Sequence, residues 1–173
     1  MKCARMILLV ICLVAFGYAC NSQDSVILER WETSNHPLAI RVTEYQEKHF
    51  PLSKFRYVFE AKSPGSGEWR EIMTTRTDDD IQIPREQVRF INDQAAYVFM
   101  VNKYAITTNG GNSWSTWTVD SQITNGKYPG QFLIKEALVN LDGSGTLILV
   151  SRSADGQNMQ FQTDDFGHSW TRK

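Results

Sequence analysis

Thr107-Thr108-Asn109-Gly110-Gly111-Asn112-Ser113-Trp114 returns 56 residues later as Thr163-Asp164-Asp165-Phe166-Gly167-His168-Ser169-Trp170. Both fit Ser/Thr-x-Asp/Asn-x-Gly-x-Ser/Thr-Trp. The residue types specify a hairpin corner. A short Asx side chain (Asn109, Asp165) accepts hydrogen bonds from backbone N–H groups just ahead of it. Glycine at the fifth place (Gly111, Gly167) supplies the positive φ of a tight turn. The hydroxyl residue (Ser113, Ser169) closes the corner, and the Trp lays an apolar face over the hairpin while its N–H finds an acceptor. Thr107 and Thr163 open the two copies.

Outward from these corners the chain reads as alternating strands and turns. Strands are expected at 26–33, 38–44, 55–61 and 68–75, then at 88–91, 95–101, 104–108 and 113–119. A third set follows at 132–141, 146–151, 159–163 and 170–172. Residues 95–101 and 146–151 are apolar on both faces, and for the former this predicts a strand buried on both sides. Residues 134–138 also suit a helix. Trp114 and Trp117 are expected on opposite faces. Trp69 stands where a corner Trp belongs, although its turn, Ser63-Pro64-Gly65-Ser66-Gly67, has no Asx. Trp69, Trp114 and Trp170 lie 45 and 56 residues apart, the length of a repeating blade. The expected fold is all-β: three four-stranded antiparallel meander units in one compact domain, 26–173.

The two eight-residue stretches resemble the Asp-box, or bacterial neuraminidase repeat, of β-propeller blades. The second fits fully; the first has Asn109 where Asp is usual. The resemblance implies propeller-blade-like units. It places the turns on the rim, away from any active face. Three blades fall short of the usual closed ring of 4–8, so the units form a compact three-sheet arrangement, a distorted sandwich or half of a six-bladed dimer. A monomer is preferred.

The 173 residues carry a net charge of −1 and are 42% hydrophobic, which suits one domain with an ordinary core. No basic run points to nucleic acid. The start differs. Lys2 and Arg5 precede an apolar run from Met6 to Ala19, too short for a span of roughly 20 residues and right for a secretory signal. Without those two cations, 16 basic face 19 acidic residues, a net charge of −3. All three cysteines, Cys3, Cys12 and Cys20, fall in or at the edge of this leader, so no intrachain disulfide can hold the exported part. Gly17-Tyr18-Ala19-Cys20 resembles a bacterial lipobox, which makes 1–19 a lipoprotein signal peptide, Cys20 the lipid attachment and 20–25 a tether. A plain signal peptide cut near Ala19 is the alternative. In bacterial lipoproteins, a residue other than Asp after the Cys implies the outer membrane, and Asn21 satisfies that; the chain would then sit on its periplasmic side.

No catalytic set is legible. The sialidases resemble this chain only in the boxes. They need an arginine triad, whereas Arg41, Arg56, Arg70, Arg85, Arg89 and Arg152 are scattered, and Gln82 replaces the Arg of their Arg-Ile-Pro motif. His36, His49 and His168 lack metal spacing. Asp78, Asp79 and Asp80 read as a solvated acidic connector rather than a cation site. No cofactor or metal is expected.

The expectation is therefore a non-enzymatic exported lipoprotein that binds a protein. Its size, leader and Tyr104–Trp114 stretch are similar to those of small periplasmic immunity lipoproteins that neutralise type VI secretion lipase effectors. That resemblance implies an exported toxin as partner, with Asp78, Asp79 and Asp80 in the contact surface. The alternatives are a propeller-like assembly factor for an envelope complex and a carbohydrate-binding module stacking sugars on Trp31, Trp117 or Tyr128.

Overall fold

A computed structural model describes residues 25–35, 37–47, 54–78, 85–153 and 156–173. They form three four-stranded antiparallel sheets, each a meander of consecutive strands, as the periodicity of the sequence predicts. The first sheet holds β1 (Ser25–Asn35), β2 (Leu38–Glu47), β3 (Lys54–Lys62) and β4 (Arg70–Thr77). A 3-10 turn at Arg85–Gln87 leads into the second, with β5 (Val88–Phe90), β6 (Ala96–Met100), β7 (Lys103–Thr107) and β8 (Ser115–Thr118). After the one-turn helix α1 (Val119–Gln122) come β9 (Phe132–Val139), β10 (Gly145–Ser151), β11 (Asn158–Thr163) and β12 (Thr171–Arg172) of the third.

The second sheet lies between the other two. All five residues of β6 are buried, and the pleat sends them alternately to two cores. Ala96, Val98 and Met100, with Ala105 of β7, join Ile40, Val42, Tyr57 and Phe59 of the first sheet. Tyr97, Phe99, Tyr104, Ile106 and Trp117 join Leu147, Leu149, Phe161 and Trp170 of the third. Each fully buried large apolar side chain contributes roughly 1.5–3 kcal/mol. Trp114 packs against the first core and Trp117 lies in the second. Thus the apolar run 95–101 is read by two different partners.

The outer sheets differ. Strand β10 is also apolar on both faces, but only Leu147 and Leu149 are buried; Ile148 and Val150 are half-covered because none of the described sheets packs there. The helix-prone stretch 134–138 is strand. Its pairing with β10, from Gly145↔Val139 to Ser151↔Phe132, outweighs local propensity. Helix α1 falls in what reads as a connector. Thr118 Oγ1 accepts from the Ser121 N–H at 3.2 Å, and Ser121 Oγ from the Thr118 N–H at 3.3 Å, a capping box with Ser in place of Glu.

The two eight-residue turns close alike. Thr107 Oγ1 accepts from the Gly111 N–H at 3.0 Å, and Asn109 Oδ1 from the Ser113 N–H at 3.0 Å. Thr163 Oγ1 and Asp165 Oδ1 make the same bonds to Gly167 and Ser169 at 3.0 and 2.9 Å. The fourth place matters too: Gly110 (φ 67°) and Phe166 (φ 61°) both take positive φ. Each turn is tied to the first hairpin of its own sheet, by the Gly110 N–H to the Gln94 carbonyl (2.8 Å) and the Phe166 N–H to the Gly143 carbonyl (2.9 Å). One expectation fails. Nε1 of Trp114 and of Trp170 is buried with no acceptor among the described residues, as each ring packs with one of the two apolar cores.

The fifth-place glycines seat each turn on the preceding sheet. A Cβ at Gly111 (φ 82°) would stand 2.5 Å from Leu38 Cδ1, and one at Gly167 (φ 87°) 2.6 Å from the Tyr104 hydroxyl. Among the described residues no sheet precedes the first. Gly65 and Gly67 of its 63–67 turn face open space, and Trp69 lies instead beneath the Arg41 guanidinium, 4.4 Å from the ring centre. Gly111→Ala and Gly167→Ala are each expected to cost about 2–4 kcal/mol in urea unfolding, from backbone strain plus overpacking. Gly65→Ala, strained but uncrowded, is expected to cost only about 1 kcal/mol.

Candidate functional site

The three sheets converge at one end, opposite the eight-residue turns, around a cleft of about 500 Å³. Strand ends build it. Lys54 opens β3, Arg76 and Thr77 close β4, and Arg152 follows β10. The floor is apolar, from Met100, Val101, Leu133 and Ile134. Asp78 is the only carboxylate among its described lining residues. Gln87 also lines it, with a buried Oε1 that has no donor among the described residues.

The cations are unevenly neutralised. Lys54 Nζ lies 3.8 Å from Asp78 Oδ1, with both side chains well exposed, at 49% and 75%; such a pair contributes about 0–1 kcal/mol. Arg76 Nε donates to Glu47 Oε2 at 3.3 Å, while Arg56 Nε donates to Glu47 Oε1 at 2.7 Å. Burial pushes the Glu47 carboxyl up, but these bonds, from Arg56 and then Arg76, hold it below the usual range. One buried carboxylate thus serves two guanidiniums. Arg152 has a backbone bond to the Gln131 carbonyl at 2.8 Å and no side-chain partner among the described residues.

The hairpin forming part of the floor is strained. Val101 has φ 59°, a conformation a β-branched side chain rarely adopts. It is held from both sides. Its carbonyl accepts from the Ile134 N–H at 2.7 Å, and the Asn102 carbonyl from the Val119 N–H at 2.8 Å. Residues in such conformations cost of order 1–3 kcal/mol and cluster at binding sites.

A second cleft, of about 320 Å³, lies beside the 119–131 connector. Ile123, Phe132, Met159, Phe161 and Trp170 line it, with Lys127 and Arg172 at the rim. Tyr128 borders it, half-exposed and edge-on to Phe132 at 6.3 Å. Of the aromatics singled out for sugar stacking only Tyr128 is available, because Trp31 and Trp117 are each 8% exposed. Both sit on core-facing strand positions.

Cys20, Asp79, Asp80, His36 and His49 lie outside the described residues, as does the 81–84 segment. Asp78 stands at the mouth of the first cleft. Of the scattered arginines only Arg152 reaches it. Arg41 is bidentate to Glu60 at 2.7 and 2.8 Å, Arg56 lies over Tyr45 and Arg85 near Trp31. Lys54 and Arg76 carry no sequence signal beyond standing at strand ends, which only the topology brings together. His168 offers its carbonyl to Gln122 Nε2 at 2.7 Å. No group of three metal-ligating side chains occurs among the described residues.

Comparisons with protein-family models, curated proteins and solved structures find no match to this chain.

The two turns differ in charge. Burial raises the Asp165 carboxyl, but bonds from Ser169 Oγ (2.6 Å), Thr163 Oγ1 (2.7 Å) and the Ser169 N–H outweigh it and hold the group below its ordinary value of 3.8. Such a carboxylate contributes stability that is present above the unfolded value and is lost as pH falls through the folded one. Asp165→Asn is therefore expected to flatten the loss of stability below about pH 4 in urea unfolding at stepped pH. Asn109, already neutral, adds no such slope.

Proposed function

We propose that this chain is a non-enzymatic, exported lipoprotein that binds a protein partner, and that the partner is a secreted effector toxin which it neutralises. The observation that carries this reading is the cleft at the common sheet end. An apolar floor ringed by cations, with Asp78 at its mouth, has the make-up of a protein-contact patch: apolar centre, charged rim. Its walls are strand ends of three interlocked sheets, so a partner would meet a preorganised surface and little ordering entropy would oppose binding. The leader with Cys20 and the resemblance of Tyr104–Trp114 to immunity lipoproteins support the localisation and the class of partner. In this reading the lipid on Cys20 holds the domain on the periplasmic side of the outer membrane.

Tyr128 at the aromatic cleft favours one second reading, a carbohydrate-binding module. Loss of glycan binding in Tyr128→Ala, with the fold retained, would establish it.

The test is a binding experiment with the purified protein against the product of the neighbouring open reading frame. A stoichiometric complex that relieves that product's toxicity on co-expression is expected. Replacing Asp78, Asp79 and Asp80 together by Lys is expected to weaken the complex about tenfold or more, through like-charge contact and lost complementarity. Unchanged affinity removes this surface from the interface. Absence of any complex at micromolar concentration overturns the partner reading. Cys20→Ala is expected to abolish fatty-acid labelling and membrane partition; retention of both would refute the anchor.

A further inference from the structure

We propose that the cleft at the common sheet end binds a carboxylate carried on a short apolar body. Charge and polarity carry this together. Lys54, Arg76 and Arg152 approach one opening from three strand ends, against Asp78 as the one carboxylate among the described lining residues, in a chain whose net charge is −1. Among the described residues none is well neutralised: Lys54 has one loose exposed pair, Arg76 shares Glu47 with Arg56, and Arg152 has no side-chain partner. Like charges gathered this way repel unless an anion joins them. Arginine's planar fork matches a carboxylate with two parallel bonds.

Below the cations the surface turns apolar, with Met100, Leu133 and Ile134. A hydrated inorganic anion gains nothing from that floor, whereas an alkyl or aliphatic side chain removes it from water at roughly 25 cal/mol per Å². The cleft volume, about 500 Å³, falls in the range of small-molecule sites. Val101 fixes the floor. Its strained φ of 59° is held by the Ile134 bond, so the apolar surface exists before a ligand arrives. The ligand could be a free amphiphile or a chain end presented by a protein. The proposal stands apart from the toxin reading, because small molecules test it on this chain alone.

The experiment is calorimetric titration of the purified protein with sodium octanoate, octyltrimethylammonium and a short peptide ending in a free Leu-Leu carboxylate. At least one carboxylate is expected to bind with Kd of about 10–1,000 μM, and the ammonium not to bind. Tighter binding of the peptide assigns the site to a protein chain end; tighter binding of octanoate assigns it to a free amphiphile. Arg152→Gln and Lys54→Gln, both at exposed positions and checked by circular dichroism, are each expected to weaken binding about fivefold. Raising salt from about 50 to about 500 mM is expected to weaken it severalfold. Absence of binding by both carboxylates overturns the proposal. So does equal binding of the ammonium, or unchanged affinity in both variants.

Discussion

Burial of the middle sheet on both faces is the constraint from which the rest follows. Each outer sheet covers one face of β6 and β7, and neither outer core is complete without them. The two faces are built differently. Toward the first sheet, the small Ala96 and Ala105 share one core with Phe59 and Tyr57. Toward the third, Tyr104 stacks between Tyr97 (5.5 Å) and Trp117 (4.8 Å) and meets Trp170 edge-on at 6.1 Å. That aromatic stack buries three polar atoms without partners among the described residues: the Tyr104 hydroxyl, Trp117 Nε1 and Trp170 Nε1. Each costs about 1–3 kcal/mol, and burial pushes the Tyr104 hydroxyl well above its ordinary pKa. Apolar burial offsets this, and the Tyr97 hydroxyl of the same stack donates to the Ala137 carbonyl of the third sheet at 3.0 Å.

Polar ties fix how the layers sit. Lys103 Nζ donates to the Thr74 carbonyl, Thr116 Oγ1 to that of Ile72 at 3.1 Å and Ser63 Oγ to that of Gly111 at 2.6 Å. Hydrophobic burial is non-directional, so these bonds and the glycine seats supply the registration that burial cannot. The two ends of the stack have separate duties. The end with the eight-residue turns locks sheet to sheet; the other leaves cations, a strained hairpin and an apolar floor facing solvent.

Most of the architecture was legible in the sequence because it rests on local rules. Period-2 alternation gave the strands of all three units, and the two-sided apolar run 95–101 marked a strand buried on both faces. The turn residues announced two corners. Local rules failed where tertiary context decides. Ile148 and Val150 look like core until one knows that β10 belongs to an outer sheet. Trp31 and Trp117 could stack on a ligand until their strand faces are assigned. The cleft was invisible, since Lys54, Arg76 and Arg152 lie 22 and 76 residues apart in the chain and meet only through the order of the sheets. The strain at Val101 likewise has no signature, because nothing in Met100-Val101-Asn102-Lys103 demands a positive φ.

The glycine seats also set a direction. Gly111 lies closely against Leu38, and Gly167 against Tyr104; in both cases the seat lies earlier in the chain than the turn that fills it. A polypeptide emerging N-terminus first from a ribosome therefore has each seat in place before its occupant appears. The layers can be added in order, like courses of masonry, with no finished layer reopened to admit the next.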